Sequence, residues 1–138
     1  MDARSLGARR RDQAAKLIAG DVLEFIQSSF KSIWSLELLL FLQRSADRAW
    51  TTSELVRELR GSEHVVRQSL AALLAAGLVS AEANETFRYA PASPDLHRLA
   101  LETERTYRER PGAVRQAILS APNEKLRTFA DAFRLKKD

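Results

Sequence analysis

VVRQSLAALLAAGLV, residues 65–79, has the pattern of an amphipathic helix that ends at a glycine and passes into a strand. Its apolar positions recur every three or four residues, which predicts one buried helix face. The residues predicted to face inward are Val65, Val66, Ser69, Leu70, Leu73 and Leu74. Gly77 follows the last apolar turn, where glycine commonly ends a helix, and Ser62 stands where serine commonly caps one. We therefore predict a helix over about 62–76 and a strand from Leu78.

A shorter helix is predicted directly before this one. Thr51-Thr52-Ser53-Glu54 fits the T-x-x-E capping box, in which the threonine hydroxyl accepts from a free backbone N–H and the glutamate accepts from the amide of the cap. The apolar face of this helix consists of Leu55, Val56 and Leu59. Gly61 is expected to end it, because a tight turn between two helices commonly contains glycine.

A strongly apolar helix is predicted to begin near Ser32. Its apolar residues are Ile33, Trp34, Leu36, Leu38, Leu39, Leu40, Phe41 and Leu42. Because almost no polar face remains, this helix is expected at the centre of the fold. The apolar stretch has about half the length that a transmembrane helix needs, so no membrane span is predicted. Trp34 and the later Trp50 are interpreted as packing residues.

Residues 78–91, LVSAEANETFRYAP, predict a two-stranded hairpin. Ala83-Asn84-Glu85 supplies the turn, since asparagine tolerates the left-handed conformation. Phe87 and Tyr89 are expected on one face of the returning strand, with Arg88 on the opposite face.

The remaining segments are predicted to be mainly helical. Residues 1–30 are expected to form a basic arm and an amphipathic helix over about 12–28, with Gly20 inside that helix. Residues 31–91 form the central domain of this prediction, and residues 92–138 form a helical extension at the carboxyl end. The predicted fold class is mainly α with one small hairpin.

The order of these elements resembles the winged helix-turn-helix of MarR-like and ArsR-like bacterial transcriptional regulators. The resemblance covers residues 32–91 and is most specific over residues 65–79, which are similar to a recognition helix that runs into the wing. It implies a winged helix-turn-helix domain with a β-hairpin wing and flanking helices at both ends. It also implies a sequence-specific transcriptional regulator that places helix 62–76 in the major groove of double-stranded DNA.

The resemblance also implies which side chains contact DNA. The expected DNA-binding residues are Thr51, Thr52, Arg60, Ser62, His64, Arg67, Gln68 and Arg88. Arg67 suits guanine and Gln68 suits adenine in the major groove. Arg88 would enter the minor groove from the hairpin, while Thr51, Thr52 and Arg60 would touch phosphates.

A homodimer is expected, because one recognition helix covers few base pairs and a two-fold dimer spaces two such helices about one DNA turn apart. The predicted dimerisation residues are Leu17, Val22, Phe25, Leu126, Phe129 and Phe133. Phe129 and Phe133 would fit a core position equally well.

The charge distribution favours a second interpretation. The net charge is +4, yet residues 31–90 hold seven basic and seven acidic side chains. Phosphate neutralisation dominates affinity for duplex DNA, so a neutral segment argues against strong electrostatic binding. The positions that are commonly basic in such helices are Ala71, Ala72, Ala75 and Ala76, and the nearby acidic residues are Glu63, Glu82 and Glu85. The alternative is a winged-helix module that binds a regulatory or transcription-associated protein without reading DNA.

Several classes of protein are excluded by composition and motif. The chain has no cysteine and two histidines, His64 and His97, which argues against thiolate zinc sites and histidine-built metal sites. No nucleotide-binding loop, hydrolase elbow, zinc-protease motif or paired-carboxylate signature occurs, so neither an enzyme nor a cofactor is expected. The basic amino terminus lacks the apolar region of a secretory signal and carries acidic residues, which predicts a cytoplasmic protein.

Overall fold

The computed structural model describes residues 17–120, which form a mainly helical fold with one small antiparallel sheet. The helices are α1 (Gly20–Ser29), α2 (Ile33–Arg44), α3 (Thr52–Leu59), α4 (Glu63–Ala75), α5 (Pro94–Glu109) and α6 (Pro111–Leu119). The strands are β1 (Trp50–Thr51), β2 (Val79–Glu82) and β3 (Thr86–Tyr89), and a single 3₁₀ turn (Ala83–Glu85) joins β2 to β3. The predicted mainly helical fold class is confirmed at this level.

Helix α2 lies at the centre, as its composition predicts. Ser32 caps it: its hydroxyl accepts from the Ser35 amide at 3.2 Å, and the Ser35 hydroxyl accepts from the Ser32 amide at 3.3 Å. The buried residues of α2 are Ser35, Leu36, Leu38, Leu39, Leu40 and Leu42. They pack against the apolar face of α4, whose side chains Val66, Leu70 and Leu73 are at most 2% exposed.

The sheet has the strand order β1-β3-β2, with both pairs antiparallel. Val79 lies opposite Tyr89 in the predicted hairpin, and Asn84 adopts a left-handed conformation with φ of 63° at its turn. Trp50 pairs with Phe87 in a third strand that the sequence analysis missed. A strand of two residues is too short to show an alternating pattern in the sequence, so β1 is recognised only by its pairing with β3.

The end of α4 is fixed by Gly77, which has φ of +73°. The Leu78 amide donates to the Leu73 carbonyl at 3.0 Å, and the Gly77 amide donates to the Leu74 carbonyl at 3.1 Å. This pair of bonds is the Schellman arrangement, which satisfies carbonyl groups that the helix leaves unpaired. The prediction that Gly77 ends the helix is confirmed.

Three local predictions are corrected. The helix predicted over 12–28 is interrupted at Ile18 and Ala19, and α1 begins at Gly20, where the low helix propensity of glycine and the carboxylate of Asp21 favour a new start. Residues 12–16 lie outside the described part of the chain. Leu74, predicted to face inward, is 37% exposed.

The third correction concerns the turn between α3 and α4. Helix α3 ends at Leu59, and its left-handed capping residue is Arg60, with φ of 54°, instead of Gly61. Glycine at position 61 is explained by a close contact instead, because a Cβ atom there would lie 3.1 Å from the Trp34 ring. The glycine therefore allows the indole to pack directly on the backbone of the turn.

Helices α5 and α6 belong to the same core. Their buried residues Leu99, Val114 and Ile118 join the cluster that contains α2. Arg98 ties α5 to α1 by donating to Asp21 at 3.1 Å, while it also pairs with Asp95 on its own helix at 2.8 Å. The first part of the predicted carboxyl-terminal extension thus helps to cover the central helix. Within residues 17–120, no helix is both long and apolar enough to cross a membrane.

Replacing Gly77 tests the end of α4. Gly77→Ala is expected to lower the free energy of unfolding by about 1–2 kcal/mol, because an L side chain is strained at positive φ. Gly112→Ala is the matched control, since a Cβ at Gly112 meets no atom within 4 Å. Urea unfolding followed by circular dichroism measures both. Equal stability of the two variants would contradict the role assigned to Gly77.

Candidate nucleic-acid interface

The outer face of α4 carries the polar residues that the sequence analysis singled out. Ser62, His64, Arg67 and Gln68 are all exposed, and His64 and Gln68 lie on the side of the helix opposite the buried Val66. His64 and Gln68 make no hydrogen bond with any residue in the range 17–120. Their polar groups are therefore available to an outside partner.

Arg67 is held only by a surface ion pair. Its guanidinium contacts the Glu63 carboxylate at 2.9 Å one turn earlier on α4, and the two side chains are 61% and 67% exposed. Exposed pairs of this kind contribute at most about 1 kcal/mol, so the arginine can leave this partner for another acceptor. The same contact places a carboxylate beside the exposed face.

Two more arginines stand at the end of α3, just before the turn into α4. Arg57 and Arg60 are exposed, and neither forms an ion pair or hydrogen bond within the described residues. Arg60 was predicted as a phosphate contact, and Arg57 was not. Their spacing of three residues at the end of one helix is the sequence signal that would have grouped them.

The hydroxyl groups predicted to touch phosphates are largely committed to capping. Thr51 caps α3: its Oγ1 accepts from the Glu54 amide at 3.2 Å and donates to the Glu54 carboxylate at 3.1 Å. Ser62 caps α4 by accepting from the Val65 amide at 3.1 Å. Thr52, the first residue of α3, is half-buried and has no side-chain hydrogen bond within residues 17–120. The capping box at Thr51 and the capping role of Ser62 were predicted, but the box leaves Thr51 no free hydroxyl proton for a phosphate.

Glu54 completes this capping arrangement and is strongly acidic. The hydrogen bond from the Thr51 amide is the largest cause, and the guanidinium of Arg48 adds to it; together they lower the pKa of Glu54 to about 2. Arg48 also lies 3.7 Å from the centre of the Trp50 ring. These contacts stabilise the junction between β1 and α3, and we assign them no role in binding.

Arg88 is placed differently from the prediction of a minor-groove contact. Its Nε donates to the Glu82 carboxylate across the hairpin at 2.9 Å, and its Nη1 donates to the Ala46 carbonyl at 3.5 Å. The side chain is thus turned toward the loop after α2. The exposed end of the hairpin presents Glu82 and Glu85, which would repel phosphates. Glu82 lies diagonally across from Arg88 on the paired strand, a contact that depends on the register.

The predicted dimerisation residues have different surroundings. Val22 and Phe25 are 2% and 5% exposed in the core of this chain, so they offer no surface to a second copy. Leu17 is 47% exposed. The predicted residues Leu126, Phe129 and Phe133 lie outside the described part of the chain.

Charge over the described residues is nearly balanced, with twelve basic and thirteen acidic side chains in the range 17–120. The excess positive charge of the chain lies in residues 1–16, with five basic and two acidic side chains, and in residues 121–138, with five and three. The outer face of α4 therefore lacks a broad positive surface around it. Electrostatic attraction to an anionic partner at this face depends on a few arginines.

The remaining polar contacts are structural. Burial raises the pKa of Tyr89 to about 12, and its hydroxyl bonds His97 Nδ1 at 2.8 Å across the contact between β3 and α5. The Tyr107 hydroxyl donates to the Glu37 carboxylate at 2.7 Å, which joins α5 to α2. Among the described residues, no group of three or more acidic or histidine side chains is arranged to hold a metal ion.

The Glu54 contacts predict a specific dependence of stability on pH. The carboxyl has a pKa of about 2 in the folded chain and about 4.5 when unperturbed, so its stabilising effect is complete above about pH 4.5 and disappears as the pH falls toward 2. The difference in free energy of unfolding between the wild type and Glu54→Gln should therefore shrink over this interval. Glu58→Gln, on the exposed side of the same helix, is the control. A difference that stays constant from pH 6 to pH 2.5 would contradict the capping assignment.

No protein-family model, curated protein or solved structure matches this chain. The resemblance to MarR-like and ArsR-like regulators therefore stays a prediction from sequence. The function has to be argued from the surface residues of α4 and the arginines beside them.

Proposed function

We propose that this chain is a winged helix-turn-helix transcriptional regulator that binds double-stranded DNA sequence-specifically through α4. One observation carries the proposal: His64, Arg67 and Gln68 are exposed together on one face of a helix whose opposite face is buried. The core thus fixes the orientation of the helix, while its polar side chains stay available for base edges.

The order of the elements supports the winged-helix part of the proposal. A short capped helix, α3, is followed by a tight turn and the longer helix α4, and the hairpin of β2 and β3 follows directly. A helix-turn-helix places its second helix in the major groove. The buried stripe of Val66, Leu70 and Leu73 holds α4 against the core and leaves its polar face outward, which supports such docking.

The chemistry of the exposed residues suits bases and phosphates. Arg67 can form two hydrogen bonds with guanine, and Gln68 can form two with adenine. Arg57 and Arg60 are exposed and unpaired within residues 17–120 at the end of α3, and we assign them the phosphate contacts beside the groove. The hairpin contributes little in this proposal, because Glu82 holds Arg88 and the carboxylates at its end disfavour the DNA backbone.

Few phosphate contacts per chain imply weak binding by a single copy. Each neutralised phosphate contributes about 0.9 to the slope of log affinity against log salt, so two or three arginines give a modest slope. A homodimer would double both the base contacts and the phosphate contacts, and we retain it as part of the proposal. Of the dimerisation residues within 17–120, only Leu17 offers exposed surface for such an interface.

The second candidate function is a protein-interaction module without DNA binding. Its supporting observation is the apolar character of the same surface: Leu74 and Trp34 are 37% and 40% exposed, and Ala71 and Ala75 are exposed between polar positions. Tight retention of a protein partner by a chain that binds no duplex at low salt would favour this candidate.

Arg67 tests the base-reading role. Selection from a random duplex library at low salt supplies a preferred sequence, and Arg67→Ala is expected to weaken binding to it by about 1–3 kcal/mol. The fold should be unaffected, because the side chain is exposed and only loses its pair with Glu63. Fluorescence anisotropy measures the affinity and circular dichroism measures the fold. Unchanged affinity would remove Arg67 from the proposed site, and failure to retain any duplex would refute the proposed function.

The two arginines at the end of α3 test the phosphate contacts. In the double variant Arg57→Gln/Arg60→Gln, the slope of log affinity against log salt should fall by about 2. Arg108→Gln, an exposed substitution on α5, is the matched control. An equal slope in the wild type and the double variant would place the phosphate contacts elsewhere.

A further inference from the structure

A cavity of about 440 Å³ lies between the beginning of α2 and the outer side of α4. Its volume is within the usual range for small-molecule sites, about 300–1,000 Å³. Trp34 and Ser35 line it from α2, and Val65, Ser69 and Ala72 line it from α4. One buried polar group among these residues has no hydrogen-bond partner within residues 17–120.

That group is the hydroxyl of Ser69. Ser69 is 5% exposed and lines the cavity, yet its side chain forms no hydrogen bond with any residue in the described range. The Gln43 amide and Trp50 Nε1 are fully buried without a partner among the described residues, whereas the Ser69 Oγ is open to the cavity, so a guest can bond it in place of water. The other buried serine of the cavity, Ser35, is occupied: its hydroxyl donates to the Ser32 carbonyl at 2.6 Å.

The walls of the cavity are apolar and well fixed. Trp34 is 40% exposed, and its ring packs against the turn at Gly61, where a Cβ would lie 3.1 Å from the ring. Val65 and Ala72 provide short apolar side chains on the α4 side. A flat apolar guest can therefore contact the indole in the offset or edge-to-face arrangements that aromatic rings prefer.

The charges of the lining residues limit the guest further. Among residues 17–120, Lys31 is the single charged residue that lines the cavity, and it is exposed, whereas the buried floor offers one neutral hydroxyl. Burying a carboxylate or ammonium group against a single hydroxyl is strongly unfavourable. The inserted end of the guest must accordingly be uncharged.

We propose that this cavity binds a small uncharged aromatic molecule, with its ring against Trp34 and one hydrogen-bonding group on Ser69 Oγ. The lining residues would bind such a molecule whether or not α4 binds DNA. Gln68 lines the cavity and also belongs to the exposed face of α4, so the two surfaces adjoin.

Two ligands of nearly equal shape test this site. Indole carries an N–H donor and indene carries a CH₂ group in its place. Titration of the ¹⁵N-labelled full chain with each compound, followed by NMR, should shift the signals of Trp34, Val65, Ser69 and Ala72. Indole should bind about three- to tenfold more tightly than indene, the usual effect of one hydrogen bond. Absence of shifts at these residues, or equal affinities for indole and indene, would overturn the proposal.

Ser69→Ala links the preference to the hydroxyl. The variant should bind both compounds with equal affinity, and its stability should stay close to that of the wild type because the hydroxyl makes no hydrogen bond within residues 17–120. Ser53→Ala, an exposed substitution on α3, is the control and should keep the preference for indole. A preference for indole that persists in Ser69→Ala would assign the polar contact to another residue and overturn the proposal. The comparison of the two ligands on the wild type stands even if this variant is less stable than expected.

Discussion

The structure depends on covering the apolar surface of α2 on nearly all sides. Six of its twelve residues are buried in one cluster with apolar side chains from α1, the sheet and the later helices, and α4 and β3 pack most closely against it. Helix α4 supplies one side of this cover through Val66, Leu70 and Leu73. Because a helix cannot rotate without exposing its buried stripe, this packing determines which residues of α4 face outward. The exposed positions of His64, Arg67 and Gln68 follow from the burial of α2. Side-chain contacts of these three residues do not determine them.

The same packing separates polar side chains that are needed for folding from those that are not. Thr51, Glu54 and Ser62 satisfy free backbone groups at helix starts, and Arg98 connects α5 to α1. By contrast, Arg57, Arg60 and Gln68 have no partner within the described residues. Unused polar groups on a rigid surface are the ones that a binding partner can engage at low cost in stability. They therefore carry the proposal of DNA binding, although the total charge of the described residues is close to zero.

Local signals allowed much of the fold to be predicted, and long-range contacts account for what was missed. The caps Thr51 and Ser62 and the terminator Gly77 each act within one helical turn, so the sequence reveals them directly, and it also predicted the start of α2 near Ser32. Strand β1, the pairing of Arg88 with Glu82 and the burial of Phe25 depend on partners brought in by the tertiary structure. The candidate site, too, could be predicted only in part. Its helical face could be predicted from periodicity, while Ser69 and the cavity beside Trp34 became apparent only when α2 and α4 were placed together.

The most direct test of the central claim is an NMR titration of the labelled chain with a duplex selected from a random library. If α4 reads DNA, the largest shifts will occur at the amides of residues 62–71, with further shifts at Arg57 and Arg60. The amides of Glu82 and Glu85 at the end of the hairpin should change little, because carboxylates disfavour the DNA backbone. Shifts confined to the hairpin or to α5 and α6, with residues 62–71 unchanged at saturating DNA, would contradict the account.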